Sequence, residues 1–379
     1  MDFSSLAALS LDAAEGLVKI GVALLAVWLF CVGASVGSFL NVVVYRLPLG
    51  KSLIKPGSCC PVCGHEIRAR HNIPILGWLS LGGKCFDCRT PISSRYPLVE
   101  LLVGIAFFVL GVEFLLGGNN LGDFSQEAWG RMPWPALGRA YAMHAVLVTT
   151  LIGAALIVFD GRRIPISLYL PTLTLSLLLP LFHPDIRPLA PPFVAERGWR
   201  ESLAEGALGV LAGVIVGLLL GAVWRIVTRF RDRARFRSAW SLASVGAALG
   251  WQAVVIASLY GTLVFALGVL LTQRRRGRHL PWPGCVALVL LVLIPTYYQG
   301  LLWNGPPRTT AALVYEIAIA CNLLIIAMVA ATTPARYWRR APRSFPLQNV
   351  SATPAVEPVA ELAAEPPLET SQSEPPHDS

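Results

Sequence analysis

Residues 17–44 read LVKIGVALLAVWLFCVGASVGSFLNVVV, an apolar run whose one charged residue is Lys19. A helix crosses a bilayer with about 17–25 such residues. The run is not expected to be a cleaved signal peptide: Asp2, Asp12 and Glu15 stand where a signal is basic, and no small-residue cleavage site follows. Similar runs recur near 97–117, 138–159, 164–182, 206–227, 282–300 and 311–332. The apolar stretch 238–273 is too long for one crossing. Gly250 and Trp251 divide it into two shorter crossings or one re-entrant hairpin. The pattern implies an all-α polytopic membrane protein with about nine transmembrane helices. Composition agrees: 55% of the 379 residues are hydrophobic and 14% charged, with mean hydropathy +0.60. A soluble domain carries roughly 25% charged residues. This chain lacks the polar surface of an ordinary soluble enzyme, and it is too apolar to be disordered.

The net charge of +9 is a sum of unlike parts. The last 36 residues hold six acids and no Lys or Arg, so the rest stands at +15. That excess lies in segments between apolar runs: eight Lys/Arg against two acids in 46–96, Arg162 and Arg163, six arginines against Asp232 in 225–237, Arg274 to Arg278, and Arg336 to Arg343. The intervening loops 118–137, 183–205 and 301–310 are balanced or nearly uncharged. Positively charged loops stay in the cytosol. Nine crossings with the N-terminus outside and the C-terminus cytosolic satisfy every basic segment; eight do not. Residues 333–379 read as a disordered, acidic, Pro-rich cytosolic tail. The halves hold no matching pair of broken helices, which speaks against a membrane transporter, the rival from another functional class.

Five of the eight cysteines fall in loop 46–96. Cys60-Pro61-Val62-Cys63 and Cys85-Phe86-Asp87-Cys88 form two C-x-x-C knuckles. Four thiolates from two tight turns make a tetrahedral site suited to zinc, and a full protein ligand set makes that metal structural. The competing reading, two disulfides, conflicts with a reducing cytosol. Cys59 is left over, and His65 and His71 read as solvated. The loop is basic, but it is tethered at both ends to membrane helices. Its apolar stretch Asn72 to Leu79 suits packing on the membrane domain better than nucleic acid, which is not expected as a partner.

Around these knuckles the sequence resembles a known family. Gly37-Ser38-Phe39-Leu40-Asn41 to Tyr45-Arg46-Leu47-Pro48, then Asn72-Ile73-Pro74, Gly83-Lys84-Cys85 and Ile92-Ser93-Ser94-Arg95-Tyr96-Pro97-Leu98-Val99-Glu100 are similar to the N-terminal domain of bacterial type IV prepilin peptidase/N-methyltransferases. Weaker similarity continues through Ile164 to Pro171, Gly246 to Gln252 and Leu280 to Gly284. The resemblance implies an inner-membrane aspartic endopeptidase that removes basic leaders from prepilin-like proteins of type IV pilus or type II secretion systems. It also implies methylation of the new N-terminus with S-adenosylmethionine. On this reading the chain divides into a first transmembrane helix (1–45), a zinc-binding cytosolic loop (46–96), a peptidase-like membrane domain (97–300), an additional helix (311–332) and the tail. Asn41, Arg46, Arg95 and Glu100 match the family block. They are expected either to bind the leader or methyl donor, or to anchor the loop.

An aspartic peptidase needs two carboxylates that share a proton. The family's first aspartate stands seven residues before the Ile-Pro proline; counting back from Pro165 reaches Val158, with Asp160 two residues later. Its second ends a Gly-x-Gly-Asp motif twelve residues before the Gly of Gly-Trp-Gln. Counting back from Gly250 reaches Ser238, within Arg235-Phe236-Arg237-Ser238. The alignment therefore predicts a copy without the peptidase dyad. The alternative is an active peptidase with a displaced pair, Asp160 and Asp232. Asp232 lies in an arginine-rich stretch, which favours the ionised form and makes it a poor proton-sharing partner.

Overall fold

The computed structural model describes residues 3–116, 134–183, 199–228, 235–273 and 284–290. Among them the chain is helical, with two isolated β-bridges and no longer strand. The main helices are α1 (Phe3–Arg46), α2 (Leu76–Ser80), α3 (Arg95–Leu116), α4 (Trp134–Phe159), α5 (Leu170–Phe182), α6 (Trp199–Thr228), α7 (Arg235–Leu249) and α8 (Trp251–Gln273). Residues 284–290 are also helical. Segments Ala23–Leu49, Arg95–Val112 and Gly138–Phe159 are long and apolar enough to cross a membrane. The 311–332 helix, the tail, Asp232 and most of run 282–300 lie outside the described residues.

Two features refine the sequence reading of the spans. Gly250 ends α7 with φ +90°, its amide donating to Gly246 O at 2.8 Å, and α8 starts at Trp251. A residue without Cβ is suited to this left-handed stop. Stretch 238–273 is thus two helices, as its length demands. Run 164–182 is not one continuous helix. Pro165 is extended, Ile166–Leu168 form a 3₁₀ turn, and α5 begins at Leu170 with Pro171 in its first turn. Proline cannot donate an interior helix bond but fits a first turn. The remaining 13 residues of α5 rise about 20 Å, short of the roughly 30 Å hydrocarbon thickness.

Small residues set the helix spacing, as expected where lipid supplies no hydrophobic drive between helices. On α1, a Cβ at Gly33 would meet Phe107, and one at Gly37 would lie 2.8 Å from Glu100 Cα. On α6 and α7, Gly209 lies against the Gly246 backbone and Gly213 against that of Leu242. The core between these pairs is built largely on α4: Met143, Leu147, Leu151 and Ile157 are fully buried with Val103 and Leu110 of α3 and Leu242 and Val245 of α7. Within it, Tyr169 Oη and Ser241 Oγ lie 2.9 Å apart, and the Thr150 and Thr172 hydroxyls 2.7 Å apart.

A four-thiol centre and its anchors on the membrane helices

The two knuckles repeat one backbone design. The Cys60 amide donates to His65 O at 2.9 Å and the Gly64 amide to Cys60 O at 2.9 Å. In the second knuckle the Cys85 amide donates to Thr90 O at 2.8 Å and the Arg89 amide to Cys85 O at 3.1 Å. The residue after each second cysteine is left-handed, Gly64 at φ +73° and Arg89 at φ +59°. These turns bring the sulfurs of Cys60, Cys63, Cys85 and Cys88 within 4.8 Å of one another. The Cys60 and Cys88 sulfurs are 3.7 Å apart. With Zn–S at about 2.3 Å, a tetrahedron has edges of about 3.8 Å. The donor set and its size fit a structural zinc ion.

The environment of the thiols points the same way. Cys88 is lowered to about 6 by the side chain and then the amide of Thr90. Cys63, despite a lowering hydrogen bond from the His65 backbone, is pushed up to about 12 by burial and the neighbouring sulfurs. Four sulfurs this close cannot all ionise alone; a divalent cation relieves the conflict. Cys59 stays outside the cluster. Phe86, inside the second knuckle, carries Arg68 over its ring at 4.2 Å and His71 beside it at 4.8 Å. Arg68 also pairs with Asp87 at 3.3 Å.

The four family-block residues all tie this loop to the helices. Asn41 Nδ2 donates to Tyr96 O at 3.3 Å, linking α1 to the start of α3. Arg46 donates to Ser52 O at 3.2 Å and Gly57 O at 3.3 Å. Glu100, buried on α3, accepts the Ile75 amide at 2.7 Å. That bond holds a strained turn: Ile75 has φ 64° and ψ −55°, and Leu76 N donates to Pro74 O at 2.6 Å. This is the positive-φ γ-turn that side chains rarely adopt. Arg95 grips Asp160 with both guanidinium nitrogens, at 2.6 and 2.9 Å.

One anchor has no signature in the sequence, where Arg162 is legible only as a loop charge. Its guanidinium donates to Tyr45 O at 2.9 Å, at the end of α1, and lies over the Tyr45 ring at 5.2 Å. The Arg95–Asp160 and Arg162–Tyr45 contacts together join the loop's two ends to the end of α4.

The two positions that the sequence count reaches lie on α4 and α7. Val158 is half-buried in the last turn of α4, with Asp160 just beyond the helix. Ser238 lies near the start of α7. Asp232 is outside the described residues, so the structure pairs Asp160 with Arg95 and leaves the displaced dyad untested.

The two knuckles and the α1–α3 glycine contacts fall within a known domain. The family model described as "Bacterial Peptidase A24 N-terminal domain" matches residues 31–114. The prepilin leader peptidase/N-methyltransferase of Aeromonas hydrophila is 31% identical over 310 residues, covering 74% of this chain and 92% of that protein. This chain belongs to the prepilin leader peptidase/N-methyltransferase family. The Myxococcus xanthus member is 34% identical over 255 residues, covering 66% of this chain and 65% of that one. A "Type 4 prepilin-like proteins leader peptide-processing enzyme" of Escherichia coli O78:H11 is 42% identical over 115 residues, covering 26% and 43%. No solved structure matches. Within the family's N-terminal domain, residues 31–114, lie Gly33, Gly37, the two cysteine knuckles, Arg95 and Glu100.

The Arg95–Asp160 pair makes a prediction. Asp160 is 10% exposed and Arg95 32% exposed. The pair is part-buried, so breaking it costs less than the ~3–5 kcal/mol of a fully buried one, the remaining charge being partly solvated. Arg95→Leu should lower the unfolding temperature in detergent by a clear margin. The double variant Arg95→Leu/Asp160→Leu should recover part of that loss. A single variant as stable as the parent would show the pair to be unimportant.

Proposed function

We propose that this protein is a non-proteolytic member of its family, held in the bacterial inner membrane, that binds leader-bearing prepilin-like proteins without cutting them. Its N-terminus would lie outside the cytosol, its zinc loop and tail inside. The observation that carries the reading is the use made of Asp160. It is the acid nearest the family's first aspartate position, and its two oxygens are engaged by Arg95. Val158 and Ser238, at the aligned dyad positions, offer no carboxylate.

The zinc would act by shape alone. Four cysteine ligands leave no open position for water or substrate, so the metal holds the loop against α1 and α3. Asn41, Arg46, Arg95 and Glu100 are each spent on a tether described above. They do not present a free set for S-adenosylmethionine. Partners in this reading are prepilin-like proteins, and through them a type IV pilus or type II secretion assembly.

The test is binding. Full-length protein in nanodiscs should retain a fluorescently labelled full-length prepilin and bind the leaderless form at least about tenfold more weakly, a difference of about 1.4 kcal/mol. Equal affinity for the two forms would sink leader recognition.

A further inference from the structure

We propose that helix α2 is an interfacial membrane helix that dips into the lipid bilayer beside α3. Ile73, Leu76 and Leu79 would then be covered by acyl chains of the host membrane.

The depth of α2 is fixed by one hydrogen bond. Ile75 N–H reaches Glu100 Oε2 at 2.7 Å. Glu100 lies within Arg95–Val112, a segment apolar enough to span a membrane. It is five residues past Arg95, so about 7–8 Å along the helix axis. Helices that lie in a membrane surface bury their apolar face about 5–10 Å into the headgroup and acyl boundary. The start of α2 is therefore pinned at interfacial depth. At this level α3 itself exposes Leu98, Leu101 and Leu102, which in a spanning helix face lipid.

The two faces of α2 have different fates. Gly77 packs against His71 O, and the Trp78 indole N–H donates to Ile92 O at 3.0 Å, beside Gly83. Leu76 and Leu79, three residues apart and so on one face, are 62% and 58% exposed, and Ile73 is 49% exposed. Water is a poor partner for three large apolar side chains grouped in this way. The charge of the loop suits the same occupant: eight Lys/Arg against two acids over 46–96 match an anionic lipid surface. Glu100 thereby gains a second consequence. By holding the strained Ile75 turn it keeps the start of α2 beside α3 at this depth.

The experiment places a spin label on full-length protein in phosphatidylethanolamine/phosphatidylglycerol vesicles, through a genetically encoded keto amino acid at Leu79. Leu101 serves as the lipid-facing reference. The label at position 79 should collide with oxygen and be shielded from a nickel chelate, with an accessibility ratio within about twofold of the reference. Preference for the nickel chelate would put α2 in water. Shielding from both reagents would put a protein surface over it. Either result overturns the proposal. Zinc content equal to the parent's verifies the fold, and the same label at Leu76 gives a second reading on the same face.

Discussion

Cys85→Ser protein should come off the column with less than about a tenth of the zinc of the parent, which should carry one ion per chain. The magnitude follows from what else holds the loop. Between Leu47 and Ser94 the buried residues are Cys60, Gly77, Gly83 and Cys85, two of them cysteines of the cluster. No strand forms there, only the isolated bridges Cys59–Glu66 and Lys84–Pro91. A segment so poor in buried apolar area cannot offset the entropy of ordering some 40 residues. In such modules, metal binding is the folding energy, with apparent values of about 10–16 kcal/mol for structural zinc. Losing one thiolate of four should therefore unfold the loop while the helices stay. Trypsin, with Lys51, Arg68, Arg70, Lys84 and Arg89 as targets, should cut the variant at least about a hundredfold faster. Chelation of the parent should reproduce that pattern. A Cys85→Ser chain with unchanged zinc and unchanged digestion would refute a four-thiolate site. Cys59→Ser, outside the cluster, should keep its metal.

Some of this architecture was written plainly in the sequence, and the reason is physical. C-x-x-C spacing constrains two sulfurs through one tight turn, so the Cys60/Cys63 and Cys85/Cys88 knuckles could be read locally. The break at Gly250 was likewise legible, because 36 apolar residues are too long for one crossing and glycine is the residue that stops a helix. The break inside run 164–182 has no mark in hydropathy, which ignores backbone donors, whereas Pro165 and Pro171 decide where α5 can begin. Long-range contacts had no local mark. Arg95 and Asp160 are 65 positions apart, and Arg162 and Tyr45 117 apart. Which of several arginines meets which carbonyl depends on how α1, α3 and α4 pack. The strained Ile75 turn was invisible for a related reason: nothing in an isoleucine signals positive φ. Only the buried Glu100 beside it explains how such a turn is held.

The purified protein should leave a leader-bearing prepilin intact, at a rate at least about 10⁴-fold below that of an active relative under the same conditions. General acid–base groups contribute about 10²–10⁴ each, and on the proposed reading Val158 and Ser238 stand at the dyad positions and supply neither group. Proton sharing also requires one carboxylate to stay protonated while its neighbour is ionised, which like charges at close range bring about. Asp160 faces the opposite situation, with the guanidinium of Arg95 at 2.6 and 2.9 Å. Asp160 thus has both oxygens taken up by a guanidinium rather than by the second carboxylate that proton sharing needs. Nor does the second position repair this, since Arg235 and Arg237 stand where the family's motif has glycine, on either side of Phe236 and just before Ser238. Cleavage assays should thus give the same null rate for the parent and for Asp160→Asn, although the latter is less stable through its loss of the Arg95 pair. Cleavage by the parent at a relative's rate, abolished in both Asp160→Asn and Asp232→Asn, would instead establish a displaced dyad, with Arg95 as the group that must release Asp160 before it can act.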